Sequence, residues 1–214
     1  MKTRVVMVAV FSLVAVLAAP AWAGTVYDNG PINGETDGWT INFGFIVSDT
    51  FTVSAGSATI TGLSFGTFEL PGDTLESVEV SITSNENGGT SYFDQVVNTT
   101  QSNCFGNQYG YNICTQSATF NGPTLSNGNY WLNLQNGVVN SGDPVYWDEN
   151  SGVGCQSSGC PSQASENTLG TIPSESFTLY GNTSGTGTVP EPGSFLLMMS
   201  GVLGVAGMVR RKWL

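Results

Sequence analysis

The chain has 214 residues, no histidine and five basic residues, all at its ends: Lys2 and Arg4, then Arg210, Arg211 and Lys212. Of its 16 acidic residues only Glu191 lies in the tail, so Gly24 to Val189 carries 15 carboxylates and neither Lys nor Arg. Such a surface cannot displace counterions from phosphates, which excludes nucleic acids and anionic lipid headgroups as partners. The missing histidine also removes Ser-His-Asp and Cys-His catalysis and histidine ligation of transition metals.

The first element in chain order is an export signal. Lys2 and Arg4 precede an apolar run from Val5 to Leu17, and Ala21 and Ala23 put small residues where a signal peptidase needs them. A signal helix is expected over 1–23, with signal peptidase cutting after Ala23 and leaving Gly24 as the first mature residue. The run makes about 20 Å of helix, short for a hydrocarbon core of roughly 30 Å.

Residues 24–180 predict one all-β domain. Val78, Val80 and Ile82 alternate with Ser77, Glu79 and Ser81, as half-buried strands do. The same period runs through Ile41, Phe43, Phe45 and Val47, through Phe51 and Val53, through Tyr109, Tyr111 and Ile113, through Tyr130, Leu132 and Leu134, and through Phe177 and Leu179. Between Ala58 and Phe65 the apolar phase slips at Gly62-Leu63, which predicts a bulge or a bend. Asn85 to Gly89 and Ser126 to Asn129 read as hairpin turns. About nine such strands predict an antiparallel β-sandwich, jelly-roll or immunoglobulin-like, flanked by the signal helix and a C-terminal transmembrane helix.

Four cysteines in an exported chain predict disulfides. Cys104 with Cys114 and Cys155 with Cys160 is the favoured pairing, because each closes a short loop rich in Gly, Asn, Gln and Ser. A four-thiolate zinc site competes, but the spacings lack the paired knuckles of zinc ribbons.

The densest cluster of chemistry is Asp143 to Asn150, where Asp143, Asp148 and Glu149 stand beside Tyr146 and Trp147. The carboxylates offer hard oxygen ligands for Ca²⁺ without any EF-hand spacing. The aromatics, with Trp131, Tyr109 and Tyr111, offer flat faces for a sugar ring, or else ordinary core packing. Glycoside hydrolysis needs two carboxylates flanking the bond, and Asp148 and Glu149 diverge as neighbours on a strand. The expectation is therefore a non-enzyme without a required cofactor, Ca²⁺ being the favoured candidate ion.

Residues 181–189 read as a flexible linker. Residues 190–214 then place Pro190-Glu191-Pro192 before an apolar run from Phe195 to Val209 and the basic stop Arg210, Arg211, Lys212. A helix over 193–209 is about 25 Å long, and its cationic end is expected to stay cytoplasmic. In this order the parts resemble the PEP-CTERM sorting signal of Gram-negative bacteria. The resemblance implies processing by exosortase, transient anchoring in the inner membrane, and release to the cell envelope or an exopolysaccharide matrix of biofilm type. The expected function is a structural or adhesive protein of that matrix, the alternative being a carbohydrate-binding module for a neutral glycan. An acidic polysaccharide would be repelled unless divalent cations bridged it.

Overall fold

The computed structural model describes residues 24–35, 37–150 and 164–184. The signal helix, the tail and the expected Cys155–Cys160 bond lie outside the described residues. Twelve strands appear among those described: β1 (Gly24–Asp28), β2 (Gly38–Thr40), β3 (Ile46–Glu69), β4 (Leu75–Asn85), β5 (Gly88–Asn98), β6 (Thr100–Gly106), β7 (Asn112–Thr119), β8 (Thr124–Val139), β9 (Tyr146–Asp148), β10 (Ala164–Glu166), β11 (Gly170–Ile172) and β12 (Phe177–Ser184). The all-β class expected from the alternation is present, and every strand pairing is antiparallel. The strands form one continuous, curled sheet with the central order β1-β12-β3-β8-β4-β5, where two separate sheets were expected.

The 24-residue strand β3 is what joins the halves. One of its edges pairs with β8 along Ile46–Thr59 and then with β7 along Gly62–Glu69. Its other edge takes β10 at Val47–Asp49, β12 at Ser57–Phe65 and β9 at Thr67–Phe68. Two register shifts break the strand. One lies between Val53 and Ser57 opposite β8, and the other sets Ile60 against Gly181 but Gly62 against Tyr180. The second is the slip read at Gly62-Leu63. It moves the inward set from Ala58 and Ile60 to Leu63 and Phe65, all of them buried. With Val78, Val80, Ile82, Leu132, Leu134, Phe177 and Leu179 these form one apolar cluster, each large side chain contributing about 1.5–3 kcal/mol by leaving water.

Four segments differ from the sequence reading. Ile41–Val47 is not a continuous strand: Asn42 to Phe45 turn, with Phe45 N donating to Asn42 O at 3.1 Å. Phe43 at φ 55° and Gly44 at φ 91° cannot extend, and Phe43 is left exposed. Tyr109 and Tyr111 belong to a loop that precedes β7. Ser126–Asn129 lies within β8, where Asn127 Nδ2 reaches Ser54 O at 3.1 Å across the β3 bulge. Residues 181–184, expected in the linker, continue β12 against β3. Gly181 permits this, since a Cβ there would overlap the Thr59 carbonyl oxygen.

Candidate functional site

Trp147 is fully buried, edge-on to Phe65 and Phe177, and donates its indole N–H to Ser176 O at 2.8 Å. It is a core residue, which corrects the reading that gave it a sugar-facing role. Its neighbour Tyr146 points to the other face of β9, as alternation demands. Trp131 is half-buried on β8, opposite in phase to the buried Tyr130.

Asp148 is buried too. Its carboxylate accepts from Asn33 N at 3.0 Å, Gly34 N at 2.9 Å and Ser176 Oγ at 3.0 Å, so it anchors the 33–34 segment to β9. Burial nevertheless lifts its pKa from 3.8 to about 6, against the lowering effect of those three donors. Glu149 accepts from Trp39 Nε1 at 3.0 Å, and burial raises its pKa as well. The two carboxylates take different partners. Asp143 sits in the turn before β9, with its carbonyl held by Asn42 Nδ2 at 3.0 Å. Among the described residues no three carboxylates or thiolates gather in an arrangement that could hold a metal ion.

Sequence reasoning missed a further buried acid. Glu175 pairs across an antiparallel bridge with Glu149 and has no access to solvent. Neither carboxyl oxygen has a hydrogen-bond partner. Burial, then Asp49, Glu149, Asp148 and Asp37, push its pKa well above the usual carboxylate range. Asp49 Oδ2 accepts from Glu175 N at 2.7 Å, Asn29 Nδ2 at 3.0 Å and Ser174 Oγ at 3.0 Å.

Open space appears beside this acidic layer. Asp37, Gly38, Phe68, Tyr109, Tyr111 and Tyr146 line a cleft of about 450 Å³, within the roughly 300–1,000 Å³ range of small-ligand sites. Tyr111 stands edge-on to both Phe68 and Tyr146, with centroids 5.8 and 5.9 Å away. Asn107 shapes the tyrosine loop, its Oδ1 accepting from Tyr109 N and Tyr111 N at 3.0 Å each. Asn107 Nδ2 reaches across to Gly34 O at 3.1 Å. A disulfide between Cys104 and Cys114 closes the base of the loop by joining β6 to β7. That bond realises one expected pairing and removes two of the four thiolates that a zinc site would need. Tyr146, Tyr109 and Tyr111 were candidates from sequence; Asp37 and Phe68 were not, because only the fold carries them to the loop.

The order of parts in the tail finds an independent match: the profile of the PEP-CTERM protein-sorting motif covers residues 188–212. The chain carries a PEP-CTERM sorting signal. The signal implies an exported protein, processed by the membrane protease exosortase and sorted to the cell surface. The match covers the tail alone, and no curated protein and no solved structure matches the chain.

Proposed function

We propose that the protein is a non-catalytic structural or adhesive component of the cell envelope or exopolysaccharide matrix, held in the inner membrane until exosortase processes its tail. The observation that carries this reading is the coupling of a PEP-CTERM signal to an all-β body with no cationic side chain between Gly24 and Val189. The acids with raised pKa values also favour it. Asp148 and Glu149 spend their carboxylates on holding backbone and indole groups, and among the described residues Asp37 is the one carboxylate that lines the tyrosine cleft. A second reading, a carbohydrate-binding module, draws support from that cleft.

Cell fractionation with mass spectrometry of the C-terminus tests the proposal. The mature protein should end upstream of Arg210-Arg211-Lys212, and replacing Pro190-Glu191-Pro192 by alanines should leave a full-length form in the membrane fraction. Turnover of neutral glucans by the purified domain in a reducing-sugar assay would overturn the non-catalytic reading.

A further inference from the structure

We propose that the tyrosine cleft binds an amino-sugar glycan with free ammonium groups, the pyranose rings lying against Tyr109, Tyr111 and Tyr146 and an ammonium pairing with Asp37. The proposal rests on the adhesive reading above and deepens it by naming what the domain would adhere to.

Three observations lead to it. The aromatic lining supplies apolar faces of the kind that sugar rings seek and whose ring quadrupole also attracts cations. Asp37, exposed at the cleft, is a carboxylate with no cationic side chain anywhere in residues 24–189 to neutralise it. The field of the exposed carboxylates, with no cation among residues 24–189 to offset it, concentrates cations and repels uronic or phosphorylated sugars. Aromatic faces alone fit any sugar, whereas adding an uncompensated carboxylate selects the cationic one.

The loop is also built before any ligand arrives. Four hydrogen bonds fix its backbone. Asn107 Oδ1 takes two, Asn107 N donates to Tyr111 O at 2.9 Å, and Gly110 N donates to Asn107 O at 3.3 Å. The Cys104–Cys114 bond and the Asn107–Gly34 contact tie it to the sheet and to the 33–34 segment that Asp148 anchors. A pre-formed site avoids the ordering cost that weakens loop-borne binding. A second cleft of about 540 Å³ uses the neighbouring residues of the same two segments, including Glu35, Phe105, Asn107 and Gln108. It again sets one carboxylate beside an aromatic ring, and Asn33, Asn107 and Gln108 add side-chain amides that the first cleft lacks, which suits a polymer whose next unit lies alongside. Amides both donate and accept, as sugar hydroxyls require. An isolated ammonium head would need neither the volume nor the second cleft.

The test is isothermal titration of the purified domain, at pH 5.5 and 150 mM salt, with a β-linked glucosamine trisaccharide and with its fully N-acetylated counterpart. The free-amine sugar should bind at least about tenfold more tightly. Asp37→Asn should weaken it at least fivefold and Tyr109→Ala, at a solvent-facing rim position, by a similar factor. Glu86→Gln, an equal charge change in the exposed β4–β5 turn, should leave it unchanged. Equal affinity for the acetylated sugar would overturn the proposal in favour of a neutral-glycan site. Equal loss in Asp37→Asn and Glu86→Gln would overturn it in favour of a diffuse field effect. Equal binding of trilysine, or no binding of the free-amine sugar, would overturn it as well. None of these results touches the adhesive reading, which fails separately if the domain cleaves glycans or the chain is recovered with its tail from the cytosol.

Discussion

Two buried polar regions of this sheet solve the same problem in opposite ways. Beneath the β4–β5 hairpin, Asn133 Nδ2 donates to Ser81 Oγ at 3.0 Å and Thr83 Oγ1 at 2.9 Å, while its Oδ1 accepts from Ser48 Oγ at 2.6 Å and Asn87 N at 3.2 Å. Every member is neutral, and none of these side chains has an orphaned buried atom. Around β9, Asp49, Asp148, Glu149 and Glu175 are packed without a cation, and Glu175 has no partner for either oxygen. A neutral network fully paired fixes register at little cost, whereas acids buried without a cation make the fold depend on protonation. The first region therefore specifies the structure, and the second makes its stability respond to pH.

The largest effect should come from breaking the neutral network. Asn133→Ala removes at once the shared partner of Ser48, Ser81, Thr83 and the Asn87 amide and leaves a cavity between β3 and β4, and should cost about 4 kcal/mol in urea unfolding. A loss below about 1 kcal/mol would show that the network does not set the register. Next comes the pH profile. Asp148 moves from 3.8 in the unfolded chain to about 6 in the fold, worth about 3 kcal/mol. Because the folded value is the higher one, this stability is complete below pH 3.8 and is lost as pH rises through 6. Glu175 shifts in the same direction. Thermal unfolding should therefore move to higher temperature on acidification from pH 7.5 to pH 4.5. A fall over that range would contradict the assignment of Asp148 and Glu175 as acids whose charged form burial disfavours.

The two regions also differ in how far the chain announces them. Val78, Val80 and Ile82 declare their strand because a two-residue period leaves one face apolar, and the Gly62 slip shows for the same reason. Phe43 misled because Ile41, Phe43, Phe45 and Val47 keep that period across a turn; Gly44 was the local warning. Asn133 reads as an ordinary outward residue beside Leu132 and Leu134. It is buried only because the hairpin turn at Asn87 folds over it. Ser174-Glu175-Ser176 looks like a solvated loop, and its burial depends on Asn29, Asp49 and Glu149, more than 25 residues away or across the bridge. The tyrosine cleft was half legible: its loop carries a conspicuous run of aromatics, but Asp37 joins it through tertiary contacts alone.

The disulfide extends the comparison to the loop built on the acidic side. Replacing Cys104 and Cys114 by serine together should cost about 2 to 3 kcal/mol, slightly less than a 15-residue loop would lose. Binding at the cleft should weaken more than stability alone explains, since Tyr109 and Tyr111 would lose their pre-set positions. Unchanged binding in the double variant would assign the bond a purely global role.

The smallest effect has the most informative sign. Glu175→Gln keeps the shape of the side chain but cannot ionise, so it places no buried charge beside Asp49 at any pH. Wild-type Glu175 contributes its full stability only below its unfolded pKa, near 4.5, and gives it up as pH climbs through its raised folded value. The variant has no such loss. The two proteins should therefore unfold together near pH 4.5 and separate progressively above it, with the variant the more stable at pH 8. In the hydrogen-bonded region the corresponding conservative change, Ser81→Ala, should destabilise by a similar amount at every pH, because nothing there titrates. If Glu175→Gln instead lost stability as pH rose, the ionised carboxylate would be the form the fold uses, and both regions would follow the same rule of paired burial.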